Sequence, residues 1–188
     1  MSVTEIDYGP LARLVGTWEG DRGLDVAPEP DGSEESPYYE TIRFEAIGDV
    51  TNAESQTLAV VRYQQIVSRK SNDEVFHDQT GYWMWDAASG TVMQSIVIPR
   101  AVCVLAGGSF AGSVESGSRV ELSVAAGLDD PDWGIVQSPF MRDNARTVSF
   151  RHDVVVDGNT LSYSETTALE IYGRSFDHTD ENSLTFLG

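Results

Sequence analysis

The sequence holds one cysteine, one lysine and three histidines, and no apolar run approaches the length of a membrane span. A single cysteine excludes a disulfide framework, and Val102-Cys103-Val104-Leu105 reads as a buried small thiol. Lys70 is the only lysine; 12 basic side chains stand against 30 acidic ones, for a net charge of −18. Such a surface repels phosphate backbones and anionic lipid, which sets nucleic acid and membrane aside as partners. No basic-plus-apolar leader opens the chain, so a soluble, cytoplasmic protein is expected. No His-x-x-His or Cys-x-x-Cys pair supports a zinc site, and neither a phosphate loop nor a dinucleotide fingerprint is present. Gly107-Gly108-Ser109-Phe110-Ala111 lacks the last glycine of a nucleophile elbow. With carboxylates this abundant, pairing any two as acid and base is arbitrary, and no catalytic residue is assigned.

What is present is a long series of β-like segments behind Leu14–Gly23. Gly16 and Gly20 bracket Trp18, so a strand can bend while the indole closes one end of a barrel. Ahead of it, Leu11 and Leu14 suit one amphipathic turn. Asp25–Pro37, with three prolines and five acidic residues, reads as an acidic surface loop, and its spacing does not match an EF-hand calcium loop. From Tyr38 the period is two, with Ile42 and Phe44 opposite Thr41 and Arg43. Val75–Asp86 is the most aromatic strand. Asp157-Gly158-Asn159 joins Ala145–Val156 to Thr160–Tyr172 as a hairpin. Leu184–Leu187 suits a short last strand. About ten strands and no helix beyond the first turn predict one all-β domain over residues 1–188, a single antiparallel up-and-down barrel of the calycin type. A barrel of that size has room for one small ligand.

Five pieces in order resemble the nitrobindin-like haem-binding branch of the fatty-acid-binding-protein-like barrels. They are Gly16-Thr17-Trp18-Glu19-Gly20, Tyr39–Phe44, Leu58–Gln65, Phe76-His77-Asp78-Gln79-Thr80-Gly81-Tyr82, and Leu161-Ser162-Tyr163 through Asp177-His178. The resemblance implies haem b in the cavity, with His178 as the iron ligand and His77 in the pocket on the other side. It also implies Phe76, Gly20 and Gly23 at the cofactor, and an interaction with nitric oxide or peroxynitrite that extends to peroxynitrite isomerisation. The chain departs from the family's glycine-rich loop. Arg22 and Leu24 stand where glycines are expected, Gly23 is one place out, and Val26-Ala27-Pro28 replaces a Tyr-Pro.

Each histidine has a plainer reading. His178 suits a solvated loop between acids, and otherwise Asp177 or Asp180 could orient its ring. His77 suits a hydrogen-bonded barrel residue, and His152 a packed one. The alternative function is a carrier or sensor for a fatty acid or another small apolar ligand, its carboxylate paired with Arg43, Arg62 or Arg151. The expected partner is therefore haem or a small hydrophobic ligand, and a homodimer is compatible with the chain.

Overall fold

Alternation of two residues per repeat requires a surface on each side of a strand, and here the inner surfaces close on one another. The computed structural model describes residues 6–115 and 117–188. A 3₁₀ turn (Gly9–Arg13) leads into β1 (Gly16–Glu29), β2 (Gly32–Asn52), β3 (Gln56–Arg69), β4 (Val75–Asp86), β5 (Thr91–Ile98) and β6 (Val102–Ser109). There follow β7 (Val120–Gly127), β8 (Ile135–Gln137), helix α1 (Pro139–Asn144), β9 (Ala145–Asp157), β10 (Thr160–Ile171) and β11 (Arg174–Phe186). Every pairing is antiparallel. The ladder runs β5-β4-β3-β2-β1-β11-β10-β9-β7-β6, and a β5–β6 pairing closes it into a ten-stranded barrel, with β8 beside β6. Among the described residues, no helix is long and apolar enough to cross a membrane.

One seam differs from the rest. The β6–β7 ladder registers at Gly107↔Ala125 alone. Lower down, β8 takes the place beside β6, pairing Val102–Val104 with Ile135–Gln137. Among the described residues, no ladder joins β8 to β9. The Gln137 side chain substitutes for one, donating to the Thr147 carbonyl at 3.0 Å and accepting from the Thr147 N–H at 2.9 Å. Sequence reading missed both β8 and α1, because three residues and six are too short to show a period. Ser138 caps α1 through the Met141 N–H, and Pro139 suits its first position.

The inward positions sort into layers along the barrel axis. At one end Leu11 of the 3₁₀ turn and Leu14 just after it, with Trp18, Trp83, Leu161 and Leu184, form an apolar plug. Next comes a buried polar layer of Glu40, Tyr63, Gln65, Gln79, Gln94, His152, Tyr163 and Asn182. Beyond it the interior opens into a cavity.

Two sequence expectations are corrected. Asp25–Pro37 is no surface loop: it is the far half of the β1–β2 hairpin, paired from Asp25↔Ser36 to Glu29↔Gly32, with Asp25 buried. Its alternation is hidden because strands that wall a cavity carry polar residues inward. Cys103 is exposed, since Val102 and Val104 take the inward places on β6. The outer face there also shows Val97, Leu105 and Val136.

Candidate functional site in the barrel cavity

The cavity has a volume of about 330 Å³, inside the roughly 300–1,000 Å³ range of small-molecule sites. Its walls mix apolar side chains (Val67, Phe76, Ile96, Val102, Phe150, Leu169) with Asp25, His77, Glu165, His178 and Asp180, and Arg69 and Arg100 also line it.

Strand register assembles the charged wall. Asp25 on β1 stands opposite Asp180 on β11, Asp180 opposite Glu165 on β10, and Glu165 opposite His152 on β9. Four ionisable side chains thus sit in one row around the inner wall, with His178 two residues from Asp180 on the same face. The His178 Nε2 lies 2.6 Å from Asp25 Oδ1 and 3.6 Å from Asp180 Oδ2. Burial pulls the His178 pKa down, but the Asp25 bond and the charges of Asp180 and Asp25 outweigh it and hold the group above its ordinary value. Asp180 is raised well above the usual carboxylate range by burial and by the charges of Glu165 and Asp25, against the pull of His178. Burial, with Glu40 nearby, pushes Glu165 up to about 8. Its carboxyl makes no hydrogen bond among the described residues, the His152 Nδ1 being 3.9 Å away.

The polar layer lies beneath the cavity in two connected groups, and Gln65, Gln79 and Tyr163 reach the cavity lining. Glu40 accepts from Gln65 at 2.6 Å, Asn182 at 2.8 Å and the Tyr163 hydroxyl at 2.9 Å; Tyr163 also meets the Tyr38 hydroxyl at 2.6 Å. Burial raises the Glu40 pKa while these three donors oppose it. In the second group Gln79 and Gln94 both donate to the Tyr63 hydroxyl, at 2.8 and 3.1 Å. That orientation leaves each amide oxygen as an acceptor. It assigns a proton to His77 Nε2, 3.1 Å from Gln79, and to His152 Nδ1, 2.9 Å from Gln94. Burial lowers both histidines, His152 to about 4, so each presents a neutral ring.

Of the residues singled out in the sequence, the structure brings His178, His77 and Phe76 to one cavity. His178 lies within strand β11, half-buried, and not in a solvated loop. The ring partner is Asp25, 153 residues away, with Asp180 farther off and Asp177 facing solvent. Gly20 and Gly23 are not among the cavity-lining residues. A Cβ at Gly20 would fall 2.8 Å from the Asn182 amide, and one at Gly23 would fall 2.0 Å from the Tyr38 ring, so this chain fills those spaces with its own side chains. The one-place offset of Gly23 has a structural cause. A β-bulge between Gly20 and Gly23 inserts a residue, which turns Gly23 and Asp25 inward instead of Arg22 and Leu24. Arg43, Arg62 and Arg151 all face outward in surface ion pairs with Glu45 or Asp153, which removes them as partners for a ligand carboxylate inside the barrel.

A family model described as "THAP4-like, heme-binding beta-barrel domain" matches residues 7–185. The chain belongs to this family. The THAP4-like assignment agrees with the nitrobindin-like pieces read from the sequence and spans nearly the whole barrel. A solved structure titled "Crystal Structure of Rv2717c from M. tuberculosis" superposes with a TM-score of 0.70 at 20% identity, covering 95% of each chain. At that identity the likeness concerns the fold. No curated protein matches the chain. As a THAP4-like barrel the protein is a small-ligand-binding fold, with its ligand space at the end away from Trp18.

Proposed function

We propose that this barrel binds haem b in the cavity, that His178 would hold its iron, and that the function is an interaction with nitric oxide or peroxynitrite. The observation that carries the reading is the His178 imidazole at the cavity wall, one ring nitrogen held by the buried Asp25 carboxylate. Iron-ligating histidines characteristically donate one N–H to such a group, which fixes the ring and makes the other nitrogen a better donor. The remaining donor set is compatible. Val67, Phe76, Ile96, Val102 and Leu169 suit a flat apolar macrocycle, and Arg69 and Arg100 suit its carboxylates. Bound ferric haem supplies an iron centre able to take a diatomic or peroxy ligand. The chain's own part is to orient the His178 imidazole, to keep His77 neutral in the same cavity, and to exclude water with the apolar plug beneath the polar layer. Gly23 serves by seating Tyr38 in the cavity wall, and Gly20 by leaving room for Asn182 in the polar layer.

Reconstitution with haem tests this directly. Wild type is expected to give a Soret band, His178→Ala to lose it or bind far more weakly, and His77→Ala to keep a shifted but recognisable spectrum. No band in wild type, or an unchanged spectrum in His178→Ala, overturns the assignment.

A further inference from the structure

The row of acids on the inner wall asks for positive charge. Asp25, Asp180 and Glu165 are direct register neighbours on three adjacent strands, and like charges placed opposite one another destabilise a sheet. Among the described residues two imidazoles answer the three acids: His178 lies 2.6 Å from Asp25 and 3.6 Å from Asp180, and His152 lies 3.9 Å from Glu165. Asp25 Oδ, His178 Nε2 and Asp180 Oδ all lie within 4.8 Å of one another. β1 and β11 are each paired on both sides, so this triangle is held by backbone ladders and not by loops. The Glu165 carboxyl, largely buried and without a hydrogen bond among the described residues, faces the same space one register step away.

We propose that Asp25, His178 and Asp180 form a binding site for one divalent transition-metal ion. One imidazole and two carboxylates suit zinc, manganese, cobalt or iron(II); an oxygen-seeking ion such as calcium gains little from the imidazole. The ion takes the place of the proton between His178 and Asp25; that proton, with the one the Asp180 carboxyl gives up to bind as a carboxylate, leaves to solvent as the metal binds. Its remaining coordination positions open on the cavity, where water or an anionic ligand completes the shell. The inference does not rest on haem. The cation would take the Nε2 that Asp25 holds, whereas the haem assignment uses the other ring nitrogen.

The test uses haem-free, metal-stripped protein titrated with Co²⁺, followed by calorimetry and by visible absorption of the bound ion. Running it without haem keeps a failure of haem binding out of the result. Wild type is expected to take one Co²⁺ per chain with a visible ligand-field band. His178→Ala, Asp25→Asn and Asp180→Asn should each weaken binding by more than about tenfold, while Glu34→Gln on the same cavity leaves it within about twofold. Asp180→Asn is close in shape to the native residue and keeps the test open if His178→Ala does not fold. No stoichiometric uptake overturns the proposal. So does equal uptake by all variants, the result diffuse binding to a surface of net charge −18 would give.

Discussion

Replacing Trp18 with alanine is expected to lower the unfolding free energy by about 3–5 kcal/mol, the usual cost of removing a large buried aromatic. Trp18 is 2% exposed and sits across from Ile42 and Phe186 in the β1 ladders, its ring 4.9 Å from that of Phe186. Its indole N–H donates to the Leu14 carbonyl at 2.7 Å, which ties the 3₁₀ turn to the barrel end it covers. Alanine would leave a void in the plug and orphan that carbonyl. Trp18→Phe retains most of the apolar area but loses the hydrogen bond, and about 1 kcal/mol separates it from a perfect substitute. Urea unfolding of the three proteins measures both differences. A loss under about 1 kcal/mol for Trp18→Ala would show that the indole does not close the barrel.

The second large effect is a stabilisation. Glu165→Gln is expected to make the protein more stable than wild type at neutral and alkaline pH, with no gain near pH 4.5. The folded protein holds the Glu165 proton up to about pH 8, whereas the unfolded chain releases it near the ordinary glutamate value of 4.5. Stability contributed by this group is therefore complete below pH 4.5 and is lost as pH rises through 8. Glutamine stays neutral throughout, so the difference grows to on the order of 3–5 kcal/mol by pH 8. Asp180, which faces Glu165 across the β10–β11 ladder and is raised in the same direction, gains as well when its neighbour cannot ionise. His152, on the other side of Glu165, acts in a different window. Its folded value of about 4 lies below the ordinary 6.5, so its contribution is present above 6.5 and falls away toward 4. Unfolding curves at pH 6.5 and 8 isolate the glutamate, and parallel behaviour of the two proteins over that interval would count against its buried, proton-holding state.

The fold was legible in the sequence wherever a strand separates a dry interior from water. β4, β5, β9 and β10 show the period of two, and the Asp157-Gly158-Asn159 turn fixes a hairpin. The reading failed where the inner face is wet. Asp25, Ser36 and Glu34 occupy inward positions of β1 and β2 yet look like a loop, because nothing in composition separates a polar cavity wall from a solvated turn. The site divides in the same way. His77, His178 and Phe76 could be picked out by resemblance to family motifs, whereas Asp25 and Glu165 owe their place to register between strands far apart in the chain. The one local signal for Glu165 was its step with Leu161 and Tyr163 along β10.

Gln137 has a consequence beyond geometry. A ring of ladders shares load over many backbone bonds, but between β8 and β9 the circumference is completed by one side-chain amide and the Thr147 backbone. Side chains rotate without disturbing a ladder, so this joint can part while the rest of the barrel stays intact, at a free energy well below that of global unfolding. Among the strands, amide hydrogen exchange is accordingly expected to be fastest along Ile135–Gln137 and at Thr147, and faster still in Gln137→Ala. Met141, Ala145 and Thr147 line the cavity beside this joint. Gln137→Ala is accordingly expected to shorten the residence time of whatever occupies the interior more than it lowers the affinity set by the residues deeper inside, and equal dissociation rates in the two proteins would show that ligand leaves by another path.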